Sequence, residues 1–139
     1  MGQAKKEPHP IAINNAYATG KVIGTTNVGG LVGYNSIATI TNSYWDTETT
    51  GRTAITGGGI GLTTSQLMSA LPAGFDSSVW GILPDTSYPY LLWRYPTTPQ
   101  VVSGFVKDAA GVAQAGKTVQ TLANGNLKAS AMSGANGFY

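Results

Sequence analysis

Asp46 and Glu48 stand two residues apart in N-S-Y-W-D-T-E-T-T-G. On a strand, carboxylates at that spacing share one face. Such a pair could act as acid and base in glycoside hydrolysis or help to hold a hard cation. Both chemistries need further acids or oxygen ligands, and none is close in sequence, so the pair reads as a solvated corner near Arg52. Gly59-Ile60-Gly61 precedes an expected helix start, where backbone N–H groups could meet an anion. Thr64 stands where a third dinucleotide-binding glycine would be, and no P-loop lysine follows, so a turn feeding a capped helix is the better reading. His9 is the single histidine, held between Pro8 and Pro10, and cysteine is absent, which leaves no usual zinc site and no plausible Ser-His-acid triad. The expectation is therefore a non-enzyme with no catalytic residue, no metal and no cofactor.

What must be positioned instead is a repeat. Ile13, Asn15 and Tyr17 return at one constant offset as Ile40, Asn42 and Tyr44. Gly24, Thr26 and Gly30 return at the same offset as Gly51, Thr53 and Gly57. A fixed period, here of about 27 residues, marks an array whose units stack. Ile11, Ile13, Asn15 and Tyr17 alternate with Ala12, Asn14 and Ala16, a period of two that predicts strand. Glycines at 20, 24, 29, 30 and 33 keep each strand short. The predicted architecture is all-β, beginning with short β-solenoid (β-helix) coils. Ile13 would lie on Ile40, Asn15 on Asn42 as an amide ladder, and Tyr17 on Tyr44 ring to ring. Gly30 and Gly57 would mark close approach or positive φ.

Composition bounds the function. The 139 residues are only 10% charged and include 19 glycines, which suits a turn-rich β protein. The net charge of +2 is scattered rather than gathered into a patch, so no nucleic-acid partner is expected. No apolar run is long enough to span a bilayer, so no membrane insertion is expected. The N-terminus lacks the apolar core of a signal peptide, and residues 1–10 read as a tail.

Gly30-Leu31-Val32-Gly33, after Val28-Gly29 and before Tyr34-Asn35, resembles the GLUG motif. The flanking Asn15-Ala16-Tyr17-Ala18-Thr19-Gly20 and Asn42-Ser43-Tyr44-Trp45-Asp46 strengthen the likeness. Such repeats are similar across large bacterial surface proteins, notably filamentous-haemagglutinin-like adhesins, and occur in some immunoglobulin-A-cleaving peptidases. The resemblance spans about residues 11–95 and implies a β-solenoid stalk in an exported or cell-surface protein. It leaves the ligand open.

Downstream, Gly57-Gly58-Gly59-Ile60-Gly61 replaces the Gly-Leu-Val-Gly turn, so the array decays and is expected to end here. Thr63 and Gln66 form a capping-box pattern that predicts a helix over 64–70, stopped before Pro72. Phe75, Trp80, Ile82, Tyr90, Leu91 and Trp93 are expected to fold over the open end of the coil as an aromatic cap. Residues 96–100 read as a Pro-rich linker. Beyond it, Val102-Ser103-Gly104-Phe105-Val106-Lys107-Asp108 and Ser133-Gly134-Ala135-Asn136-Gly137-Phe138-Tyr139 resemble the start and a later turn of a carboxypeptidase-regulatory-like (prealbumin-like) β-sandwich. Ala113 replaces a common proline, and residues 101–139 are too few to close a sandwich, so a partial, truncated module is expected.

The function expected is a non-catalytic structural, adhesive segment of a bacterial surface or secreted adhesin-like protein, located outside the cell or on the bacterial cell surface. Its partners would be neighbouring repeats of a larger parent chain and a host-surface protein or glycan. The structural residues would be Ile13, Asn15, Tyr17, Gly30, Leu31, Gly33, Ile40, Asn42 and Tyr44. Two alternatives stand beside it: a carbohydrate-binding module using Tyr34, Trp45 or Trp93, and a non-catalytic segment of a larger secreted enzyme. Two coils are fewer than a stable stack usually needs, so the Ile11–Tyr17 edge is expected to pair with a preceding unit or another molecule.

Overall fold

Residues 11–139 are described by the computed structural model. The tail at 1–10, with His9, lies outside them. The alternating stretch does become strand, but in two pieces: β1 (Ala12–Asn14) and β2 (Tyr17–Ala18). Its copy divides the same way, into β3 (Thr39–Thr41) and β4 (Tyr44–Asp46). The break is Asn15 in one copy and Asn42 in the other, with φ of 51° and 45°. Asparagine tolerates this left-handed backbone better than most residues do, which is why it recurs at the bend. The single continuous face expected from Ile11 to Tyr17 is thereby corrected, and so is the amide ladder. Both asparagine side chains are exposed, and what repeats is the backbone twist.

The two copies lie side by side in parallel. β1 pairs with β3, Ile13 opposite Ile40, and β2 pairs with β4, Tyr17 opposite Tyr44. Asn15 N donates to Thr41 O at 3.2 Å and Tyr44 N to Ala16 O at 2.9 Å, which carries the ladder across the bend. A third strand, β5 (Ile60–Leu62), extends β4 with Ile60 opposite Tyr44. The step from Tyr44 to Ile60 is much shorter than the one from Tyr17 to Tyr44, so equating Gly57 with Gly30 does not place this strand. A four-residue helix, α1 (Thr47–Thr50), leaves β4 directly and stops at Gly51, whose φ is 69°.

The second helix, α2 (Thr64–Ser69), begins where the capping pattern puts it. Thr63 accepts from Gln66 N, and the Gln66 side chain accepts from Thr63 N. Its buried face supplies Leu67 and Met68. Leu67 joins Tyr44 and Phe75 in the core, with Tyr17, Leu62, Leu71, Trp80 and Tyr88 packed around them. The Tyr17 and Tyr44 rings are ladder neighbours yet do not stack on each other. Each turns to Phe75, at centroid distances of 6.3 and 5.9 Å, and Tyr17 stacks on Tyr88 at 6.1 Å. Phe75 and Trp80 belong to this aromatic cluster, but Trp93 lies outside it.

A short antiparallel pair, β6 (Trp80–Gly81) and β7 (Tyr90–Leu91), follows. Farther on, β8 (Thr118–Ala123) and β9 (Asn126–Met132) form a hairpin. Asn124 and Gly125 join them, both at positive φ, as a tight two-residue hairpin requires. Bridges at Phe105–Phe138 and Lys107–Ala113 tie neighbouring segments together. This region touches the first: Ala135 N donates to Thr49 O at 2.8 Å, and Phe138 meets Tyr88 edge-on at 5.7 Å. Among the described residues the fold is thus β-rich, made of small strands with two short helices.

Candidate functional site

The acids with the spacing for catalysis turn out to be caps. Asp46 is 0% exposed and lies at the N-cap of α1. Its Oδ1 accepts from Glu48 N at 2.8 Å and Thr49 N at 3.0 Å, and its Oδ2 accepts from the Tyr88 hydroxyl at 2.7 Å. Glu48 lies inside the helix, and its Oε2 accepts from Thr64 N, the first residue of α2, at 2.9 Å. The two carboxylates therefore do not share a strand face, and Asp46 is no solvated corner. Each ties a helix start to another segment. Burial pushes the Tyr88 hydroxyl well above the ordinary tyrosine range, helped by its hydrogen bond to Asp46 and by the negative charge there. The cue is present in sequence, since Asp followed by Glu in a first turn is a helix start.

The expectation that Trp45 faces a ligand is corrected: it is 1% exposed. Its indole N–H donates to Arg52 O at 2.8 Å, which satisfies the one polar atom it buries. Glycines wall the ring. A Cβ at Gly30 would fall 2.0 Å from Trp45 Cδ1, one at Gly61 2.9 Å from Cζ2, and one at Gly59 3.4 Å from Cε3. Gly30 thus serves close approach. Gly57 serves both needs: its φ is 78°, and a Cβ there would lie 2.6 Å from Val32 O. Gly33 closes the same loop, because a Cβ there would lie 2.0 Å from Asn27 O. Leu31 flanks the wall, its Cδ2 2.9 Å from where a Gly59 Cβ would stand. Arg52 reaches back with Nη2 to Val22 O at 3.2 Å.

The other two aromatic candidates are on the surface and apart. Tyr34 is 69% and Trp93 74% exposed. Trp93 sits on the turn after β7, where Arg94 N and Tyr95 N both donate to Leu91 O at 3.1 Å. That turn lines a shallow cleft of about 400 Å³ with Trp80, Tyr90, Arg94 and Tyr95, and Tyr34 does not line it. Tyr90 lies over Gly81, where a Cβ would meet its ring at 2.6 Å, and meets Tyr95 edge-on at 6.1 Å. The Arg94 guanidinium rests 5.5 Å from the Tyr95 centroid, a cation–π distance. The spacing of Trp93, Arg94 and Tyr95 is legible in sequence, but not that Trp80 and Tyr90 join them.

Among the described residues no group of three or more His, Cys, Asp or Glu could hold a metal ion. No helix there is long and apolar enough to cross a membrane.

Residues 24–44 match the family described as the GLUG motif. Over 44 residues, 30% of the chain, the sequence is 50% identical to halomucin of Haloquadratum walsbyi, a match covering 0% of that protein to the nearest percent. Over 88 residues, 56% of the chain, it is 36% identical to a protein of Evansella cellulosilytica described as a putative Gly-rich membrane protein, covering 10% of it. The chain spans a tenth or less of these relatives' length. No solved structure matches it. A GLUG motif is present, and Trp45, the ring that Gly30 makes room for, stands one residue past the matched range.

Proposed function

We propose that this chain is a non-catalytic scaffold segment of a larger protein displayed at the cell surface or secreted, of the filamentous-haemagglutinin-like adhesin type. Residues 11–95 are the end of a β-solenoid with its aromatic cap. Residues 96–100 link it to the opening of a carboxypeptidase-regulatory-like β-sandwich at 101–139. The observation that carries the reading is the parallel ladder that sets Ile13 on Ile40 and Tyr17 on Tyr44 at the repeat distance. A structure built this way gains length and stiffness by adding units, each contributing backbone bonds and a buried rung. Preceding repeats of a parent chain are the natural partners of β1, whose outer edge nothing among the described residues pairs.

Two further observations support it. The acids that catalysis would need are occupied as helix caps. The names of the relatives, a mucin by its printed name and a Gly-rich membrane protein, agree with a surface location. Protease treatment of intact source cells, followed by mass spectrometry of released peptides, tests the location. Peptides from 107–128 are expected in the shaved fraction, because Lys107, Lys117 and Lys128 are exposed. Recovery only after lysis overturns the reading.

A further inference from the structure

We propose that the cleft around Trp93 binds a carboxylate-bearing pyranose of an acidic glycan. A single exposed apolar side chain needs no explanation, but exposed aromatics gathered at one depression mark an interaction site. Trp93 is 74% exposed and Tyr95 46%, and both border the same depression as Trp80 and Tyr90. Aromatic faces joined to polar edges suit a ligand that is apolar on one face and wet around its rim. A pyranose has that form, with C–H bonds on its face and hydroxyls at its edge. The volume of about 400 Å³ is at the small end of ligand sites and suits one or two sugar units.

Charge decides the class. Among the described residues lining the cleft, Arg94 is the only ionic one, and none of them is a carboxylate that would neutralise the guanidinium. Tyr95 holds that group beside the rings by cation–π contact. A guanidinium fork matches a carboxylate geometrically and makes charge-assisted hydrogen bonds to it. A neutral sugar would fill the aromatic part and leave this fork unused. A proline-rich peptide would also stack on aromatics but would gain nothing from the cation. The acidic sugar alone uses both features.

The test is calorimetric titration of the purified chain with trigalacturonate, sialyllactose and a hyaluronan tetrasaccharide. Each is run beside a neutral counterpart: the galacturonate methyl ester, lactose and chitotetraose. Decaproline is the peptide control. At least one acidic probe is expected to bind about tenfold or more tightly than its neutral counterpart, as a charge-assisted contact implies. Arg94→Gln should erase that preference, and Trp93→Ala should abolish binding while leaving the melting curve unchanged, since the ring is exposed. Tyr34→Ala, outside the cleft, should change nothing. The proposal is overturned if no acidic probe binds in the millimolar range or better, or if acidic and neutral partners bind equally. Binding that survives both cleft variants, or tighter binding of decaproline, overturns it as well.

Discussion

Removing the Asp46 carboxylate should cost more than any surface change, and the structure says how the cost divides. Asp46→Ala takes the cap from two N–H groups of α1, worth about 1 kcal/mol and up to about 2. It also strips the Tyr88 hydroxyl of its acceptor in a half-buried site, about 1–3 kcal/mol more. A total of about 2–5 kcal/mol corresponds to a fall in Tm of roughly 8–20 °C for a chain of this size. Asp46→Asn keeps a capping oxygen and should lose far less. Tyr88→Phe removes the same hydrogen bond from its other side, so the double variant Asp46→Ala/Tyr88→Phe should fall short of additivity by about 1–2 kcal/mol. Urea and thermal unfolding followed by circular dichroism read all four variants against the wild type. pH gives an independent check. The Tyr88 hydroxyl is held above its ordinary value, so its contribution is complete below about pH 10 and declines above it, where the unfolded chain loses that proton first. The stability gap between wild type and Tyr88→Phe should therefore narrow above that pH. Tyr17, raised in the same direction by burial, leaves a residual slope in the variant. A wild-type melting curve for Asp46→Ala, or strict additivity in the cycle, would refute the reasoning.

Two other outcomes follow from the same geometry. Gly30→Ala drives a methyl group to 2.0 Å from Trp45 Cδ1, so it should destabilise by about 3 kcal/mol and red-shift tryptophan emission, whereas Gly20→Ala, with nothing within 4 Å, should be close to neutral; equal melting of the two would remove the glycine wall as an explanation. Inserting a second copy of residues 12–38 ahead of Ala12 should lay a further strand on β1, raising both the Tm and the urea m-value in one cooperative transition. An unchanged core transition beside a separately unfolded insert would count against stacking.

Much of the ladder is legible in sequence because it is written twice. Ile13 and Ile40 share a spacing, a strand pattern and a following asparagine, and the register obeys them. The α2 start is legible for a similar reason, since a capping box keeps its signal within a single helical turn. The third rung is not. β5 arrives early because α1 and three successive glycines at positive φ shorten the return, and nothing in the period that relates the first two rungs announces that. Asp46 reads as part of a strand face for a related reason: alternation through Tyr44 and Trp45 continues smoothly into it, although the chain turns helical at the next residue.

The two tryptophans that look alike as ligand candidates, Trp45 and Trp93, show why exposure is hardest to read. Burying an indole needs space for the ring and an acceptor for its N–H. Trp45 has both, but from distant parts of the chain: glycines at 30, 59 and 61 clear the space, and the carbonyl of Arg52 accepts the proton. Trp93 sits on a turn whose own backbone bonds point its neighbours back at Leu91, and the ring is left outside. The glycines of the GLUG turn are thus informative about a ring on the following strand β4, not about a ligand. It follows that the matched motif and the candidate binding cleft are separable: Gly30→Ala should damage the fold, while Trp93→Ala should damage only recognition.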